Sequence, residues 1–486
     1  MWKSIALVAL LCGAAFAQNL DEVARRAVAQ QRVVGASVLV AKSGQVVLHK
    51  GYGLADFGLD APARDETVYR VVGPMMPFTG VAVMQLVERG KLSLDDPISK
   101  FIPEFPLQGY RVTVRQLLNH TSGIVDYHYL GDPIEATSRV PKAMDEVMAL
   151  YAGKRWVNDP GTKWDWSISG FNLLVTILER ASGQTFEDYV QQNLLAPAGV
   201  KSTNYCDDFR LVHGLSHSYR KVAASYVEAH ENAMAYNSDL RYCSTVGDLY
   251  QIWRAVKDKK LVRPETLKLM STAEGPSLRM SAQDPQMHYG LALTLNHEDD
   301  HRSVGQHGSL LGYSGAMYDF SDDQLTVVVL TNTEGQNAYA IARALARSAL
   351  GLPDLPKPPE PRPEKVLADK PVAAAEVSQL TGTFLMKAGK LPPTLHDSFA
   401  QYRRTYRVFN ENGRLMIEPL GMGPERLLKQ DDGTFAMPSS ARTRISFVLQ
   451  NNRAVGMRME PEGGGLPLAG DRVGDSDPQT FHQQLR

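Results

Sequence analysis

The stretch VYRVVGPMMPFTG, Val68 to Gly80, joins a short apolar run to the start of a helix. Phe78, Val81, Met84 and Val87 fall on one helical face, and Gly90 is a natural stop. Pro74 and Pro77 fit a first turn, whose N–H groups have no intrahelical acceptors, and Gly73 is expected as the N-cap. Upstream, Leu20–Gln30 repeats at helical spacing, and Ala36–Ala41, Ser43–Gly44 and Val46–His49 read as strand, turn, strand. Downstream, residues 140–270 are mostly helical in pattern, including Phe171–Ala181 with Gly183 just past its end. Strands return at Tyr289–Leu295, Val304–His307, Ala316–Phe320 and Leu325–Leu330, followed by a helix over Ala338–Leu350. The expected fold is α/β of the α+β kind, one sheet built from the first hairpin and the last strands with a helical region inserted between them.

A chain of 486 residues, 43% hydrophobic, has material for two packed domains. Lys plus Arg number 52 against 53 Asp plus Glu, so no basic field points to nucleic acid. Lys3, the apolar run Ile5–Leu11 and Ala15-Phe16-Ala17 form the pattern of a secretory signal over residues 1–17, with a mature chain from Gln18 and export to the periplasm or the extracellular space. That run is too short to span a bilayer, no later one is longer, and bulky Leu11 before Cys12 disfavours lipidation. Cleavage would leave Cys206 and Cys243, either paired or as two buried thiols. Prolines crowd GLPDLPKPPEPRPEK, so residues 18–350 are read as one domain, 351–373 as a semi-stiff linker and 374–486 as an accessory β domain.

VYRVVGPMMPFTG resembles the start of the active-site helix of the serine β-lactamase and penicillin-binding-protein family, where an aromatic-Arg-apolar-Gly lead-in precedes Ser-x-x-Lys and Phe-Thr. GYGLADFG (Gly51–Gly58) and Leu117-Leu118-Asn119-His120-Thr121-Ser122-Gly123 are similar to further elements of its class C-like members. The resemblance covers about Gln30 to Leu350. It implies an antiparallel sheet flanked by helices with an inserted helical region, and a small β-barrel-like C-terminal domain. It also places the family's Ser at Gly73 and its Lys at Met76. There is no Ser between Ser43 and Ser93 and no Lys between Lys50 and Lys91, so no local shift restores the pair. The family's Tyr-x-Asn falls on Trp166 and Ile168 in WDWSISGFNLL, with no Tyr between Tyr151 and Tyr189. Indole N–H is only a donor and Ile has no polar atom. The third element reads His307-Gly308-Ser309.

Acyl transfer of this type needs a nucleophilic Ser and a Lys to take its proton. Loss of the nucleophile alone costs on the order of 10⁶-fold in rate. The expectation is a pseudoenzyme that acts by binding a peptide-like or cell-wall-related ligand or a protein partner, with no cofactor and no metal. The altered cleft is read either as an apolar pocket or as filled core, and Gly73→Ser with Met76→Lys is expected to fold. The competing expectation is an active hydrolase of esters, amides or β-lactams that uses unidentified residues or the pair His307 and Ser309, two apart on one strand face and so both able to face the cleft. Two further patterns are read structurally: Ser218–Lys221, a Ser-x-x-Lys in a loop, and His297-Glu298-Asp299-Asp300-His301, a His-Glu-x-x-His match in a solvated turn rather than on a zinc-binding helix. His120 and Ser122 are likewise read as parts of a hydrogen-bonded turn.

Overall fold

The computed structural model describes residues 2–131, 143–206, 210–222, 225–229, 241–281, 284–310, 312–356, 365–391, 397–420, 423–463 and 465–477. Parts of the expected helical region (140–142 and 230–240) and of the Pro-rich linker (357–364) lie outside the described residues.

Eight strands form an antiparallel sheet. In chain order they are β1 (Gly35–Lys42), β2 (Gln45–Asp56), β3 (Ala61–Pro62), β4 (His288–Tyr289), β5 (Thr294–Glu298), β6 (His301–Leu310), β7 (Tyr313–Phe320) and β8 (Leu325–Thr331). They lie in the order β3-β2-β1-β8-β7-β6-β5-β4, so the first and last strands meet in the middle, from Ala36 opposite Thr331 to Lys42 opposite Leu325. Both faces are covered, which explains why β1, β7 and β8 read as nearly continuous apolar runs. Alternate residues divide between two cores: Val327 and Val329 pack with helices α1 (Trp2–Gln31) and α5 (Asn337–Leu350), and Val328 and Leu330 pack with α2 (Met76–Glu88) and α3 (Ile168–Ser182). Helix α1 runs unbroken past Ala17 and buries Leu20, Ala24 and Val28 beside Ile341 and Leu345.

Several expected boundaries move. Tyr289–Leu295 is two strands, because the segment between them turns away: the Leu291 N–H donates to the Met270 carbonyl (2.9 Å) and the Ala292 N–H to Leu118 (2.9 Å). Gly73 is not the N-cap of α2. It has φ +92°, its carbonyl accepts from the Met76 N–H (3.0 Å), and Met75 is the residue before the helix. The inserted region is less purely helical than its pattern, with a three-stranded sheet of Tyr69–Arg70, Tyr242–Ser244 and Asn204–Tyr205 and a hairpin of Tyr219–Val222 with Ser225–Glu228. Ser218–Lys221 therefore lies on that hairpin rather than in a loop, and the Ser218 hydroxyl donates to the Ala229 carbonyl (3.0 Å). The His297–His301 turn is not simply solvated either. Glu298 is buried and ion-paired with Arg343 and Arg347 of α5, while His297 and His301 bond Asp284 and Asp323.

The C-terminal segment forms a nine-stranded antiparallel sheet after the helix Ala374–Leu380. Its two edge strands, Glu425–Arg426 and Leu428–Lys429, are separated in the chain only by Leu427, so the sheet curls into a nearly closed barrel. Phe384, Ile417, Phe435 and Met457 fill its interior. Its outer face meets the inserted region where the Arg403 N–H donates to Leu130 (3.2 Å) and Tyr129 packs on Phe399 (4.5 Å). Among the described residues no helix is long and apolar enough to cross a membrane.

Cys206 and Cys243 form a disulfide with Cα atoms 5.5 Å apart, which settles the alternative left open by their spacing. It closes a loop spanning 37 positions. Replacing both cysteines by Ala is expected to lower stability by about 2–4 kcal/mol, measured by urea denaturation with and without reductant. Reductant should shift the parent chain toward the double variant and leave the variant unmoved.

Candidate functional site

The segment that leads into α2 is held on three sides. Tyr69 and Arg70 pair with Ser244 and Cys243, the Val71 N–H donates to Tyr242 (2.8 Å), and the Arg70 guanidinium donates to the Cys206 carbonyl (2.7 Å). The Tyr69 hydroxyl meets Ser37 Oγ of β1 (2.9 Å). Delivered this way, the turn at Gly73 lies directly on the sheet. A Cβ at Gly73 would lie 2.4 Å from both the Gly308 nitrogen and the His307 carbonyl carbon. From the other side, a Cβ at Gly308 would lie 3.0 Å from Gly73 Cα, and one at Gly315, the cross-strand partner of Gly308, 2.8 Å from the Val72 oxygen. Three glycines thus let a turn and two strands touch backbone to backbone.

Behind this contact the positions matched to the family's chemistry are apolar and packed. Met76, 1% exposed, and Ile168, 6% exposed, belong to the core between the sheet and the helices. Trp166 packs on that core and stacks on His120 at 4.3 Å between ring centroids. His120 is the centre of an aromatic box completed by Phe171 (5.1 Å) and Tyr289 (4.8 Å). It sits at φ +55°, and its Nδ1 accepts from the Ser167 N–H (3.1 Å), which fixes the chain just before α3. Ser122 Oγ accepts from the Ile124 N–H (3.3 Å), so both residues of the His-Thr-Ser-Gly turn do structural work. The tyrosine of the box reaches the sheet through Gln306, whose amide donates to the Tyr289 hydroxyl (3.1 Å) and whose oxygen accepts from Thr294 (3.0 Å).

Asp126 anchors the other end. It is 1% exposed and accepts from the backbone N–H groups of Ile168 (3.0 Å) and His128 (2.9 Å), with the His128 ring at 3.1 Å. Burial works to raise its carboxyl, but the adjacent His128 and these donors hold it below the usual carboxylate range. The Ser167 hydroxyl caps α3 by accepting from Gly170 (3.2 Å). Trp166 and Ile168 therefore stand at a helix start gripped by a histidine and a carboxylate, with no basic or nucleophilic atom of their own.

His307 and Ser309 share a strand face, but it is the face opposite Gly73. His307 stacks on Tyr339 of α5 (4.1 Å, 10° between planes) and hydrogen-bonds the Tyr318 hydroxyl through Nδ1 (2.6 Å). Burial pushes its imidazole down to about 4, so the ring is neutral near pH 7. Ser309 Oγ donates to the Tyr313 carbonyl (3.2 Å) and accepts from the Gly335 N–H (2.6 Å). The expectation that the two side chains can face the cleft is corrected: Gly308, between them, is the residue that does. Gly315, Gln306, Tyr289 and Asp126 were not singled out from the sequence. Gly315 lies one residue before the strand expected at Ala316–Phe320, so no local pattern marked it.

The profile of the Beta-lactamase family matches residues 20–352. Penicillin-binding protein 4* of Bacillus subtilis is 26% identical over 436 residues, 86% of this chain and 91% of that protein. The octameric penicillin-binding protein homologue from Pyrococcus abyssi superposes with a TM-score of 0.61 at 23% identity, covering 93% of this chain and 99% of the other. A D-stereospecific amidohydrolase from Streptomyces superposes with a TM-score of 0.59 at 21% identity, over 69% of this chain and 98% of the other. With its antiparallel sheet and inserted helical region, this chain belongs to the β-lactamase family, whose members include penicillin-binding-protein homologues.

Proposed function

We propose that this chain is a non-hydrolytic member of the family that acts by binding, to a peptide-like or cell-wall-related ligand or to a protein partner. The observation that carries this reading is the Gly73 contact: the position matched to the nucleophile has no oxygen and no room for one, with the backbone of β6 2.4 Å from where a side chain would begin. The position matched to the general base is a core methionine, so the proton acceptor is missing as well. A developing oxyanion would also lack the attacking atom around which its donors are arranged. The same proposal divides the chain into a signal at 1–17, a β-lactamase-like domain at 18–350, a linker at 351–373 and an accessory β domain at 374–486. Export is part of it, and a paired Cys206–Cys243 supports an oxidising compartment.

The relative named for penicillin binding makes a penicillin the natural probe. Whole protein incubated with a fluorescent penicillin and with an activated ester should give no covalent adduct by mass spectrometry and no turnover above buffer. A stoichiometric adduct, or turnover that copurifies with the folded chain, overturns the proposal.

The packing also revises the expectation that restoring the family's pair leaves the fold intact. Gly73→Ser adds a Cβ at a positive φ against backbone atoms, a strain of about 1–3 kcal/mol before any clash is relieved. Met76→Lys puts an ammonium into an apolar core at a further cost of several kcal/mol. Gly73→Ser alone should lose at least about 2 kcal/mol in urea denaturation, and the double variant should lose more and remain unreactive toward penicillin. Parent-like stability of Gly73→Ser would show that the turn can lift off the sheet.

A further inference from the structure

The inner core ends at a second concave region, four residues back along β6 from Gly308. Here α4 (Val246–Lys257), the helix Pro264–Met270 and the β5–β6 hairpin enclose a groove of about 1020 Å³. This is the size of a site for a small organic molecule. Gln306, buried at 2% exposure and bonded to Tyr289, fills the strand face between the groove and Gly308, so the two are separate. Trp253, Val256, Leu267, Leu295 and Val304 give the groove an apolar wall.

The charged groups along it fall into two sets. Asp319 is buried and accepts from Lys257 Nζ (2.8 Å) and Thr326 Oγ1 (2.7 Å). Asp299 takes two guanidinium bonds from Arg347 (2.9 and 3.2 Å), and Asp322 pairs with Arg302 (3.0 Å). Lys259 and Lys268 are exposed and line the groove, and neither ammonium has a hydrogen-bond or ion-pair partner among the described residues. The carboxylate left in the same condition is Asp300, in the β5–β6 turn. Two unmatched ammonium groups against one carboxylate leave the lip cationic above an apolar wall. Long lysine stems lie naturally along such a wall with their charged ends at the rim.

We propose that this groove binds a small organic anion, a carboxylate carried on an apolar chain or ring, with the apolar body against Trp253, Leu295 and Val304 and the carboxylate between Lys259 and Lys268. A wholly apolar ligand would gain nothing from the lysines, and a polyanion would meet Asp300 and the Asp319 region. The site does not depend on whether the Gly73 region can turn over substrate.

The test titrates the full chain with decanoate, and with decanol as the uncharged analogue, by calorimetry and by tryptophan fluorescence. Decanoate should bind saturably at one site, at least tenfold more tightly than decanol. Lys259→Glu with Lys268→Glu, both surface changes, should weaken decanoate at least tenfold and leave decanol unchanged. Val304→Trp, which puts an indole where the apolar body of the ligand would lie, should weaken binding of both at least tenfold. No saturable decanoate binding, equal affinity for decanol, or parent-like decanoate affinity in either variant overturns the assignment.

Discussion

The contact of the Val72–Gly73 turn with Gly308 and Gly315 is the constraint on which the rest of the inner core depends. A peptide backbone approaches another this closely only where no Cβ stands between them, so all three positions need glycine for the same reason. The consequence is a turn that sits on the sheet instead of standing across a gap from it. α2 then starts with Met76 already inside the apolar core, and the direction in which a side chain at Gly73 would point is occupied by the backbone of β6.

The elements around that contact are fixed by polar groups that belong to the scaffold. Asp126 and His120 grip the N-terminal approach to α3 from two sides, and Gln306 and Tyr289 tie the aromatic box to the sheet. The hydrogen bonds of Asp126, Gln306 and Tyr289 and that of His120 Nδ1 rigidify this packing. On the far side of the sheet, His307 and Ser309 are absorbed in the same way by α5 and the turn before it. Polar residues that look like remnants of chemistry in one dimension are satisfied by structure in three. The proposed binding role follows from a site whose polar groups face inward to the fold.

Much of the architecture was legible because it rests on local rules. Period-two and helical repeats located β1, β7, β8, α2, α3 and α5 to within a few residues, since each buries a regular face. The interruption of β4 and β5 was not legible, because Ala292 leaves the sheet to bond Leu118, a partner far away in the chain. The role of Gly73 was also misjudged. A glycine before a helix is a reasonable cap by local rules, and only the neighbouring strand reveals that its missing side chain serves a tertiary contact. Glu298 was read as solvated in a run of charges, whereas two arginines of α5 bury it.

By itself the sequence determined the family and the layout of one sheet around an inserted region, because both depend on residue types and their order along the chain. Only the tertiary structure decided that Cys206 and Cys243 pair, that His307 and Ser309 turn away from Gly73, and that the space beside Gly73 is closed. Those three outcomes depend on distances between segments remote in sequence, and pairing and packing are properties of distance.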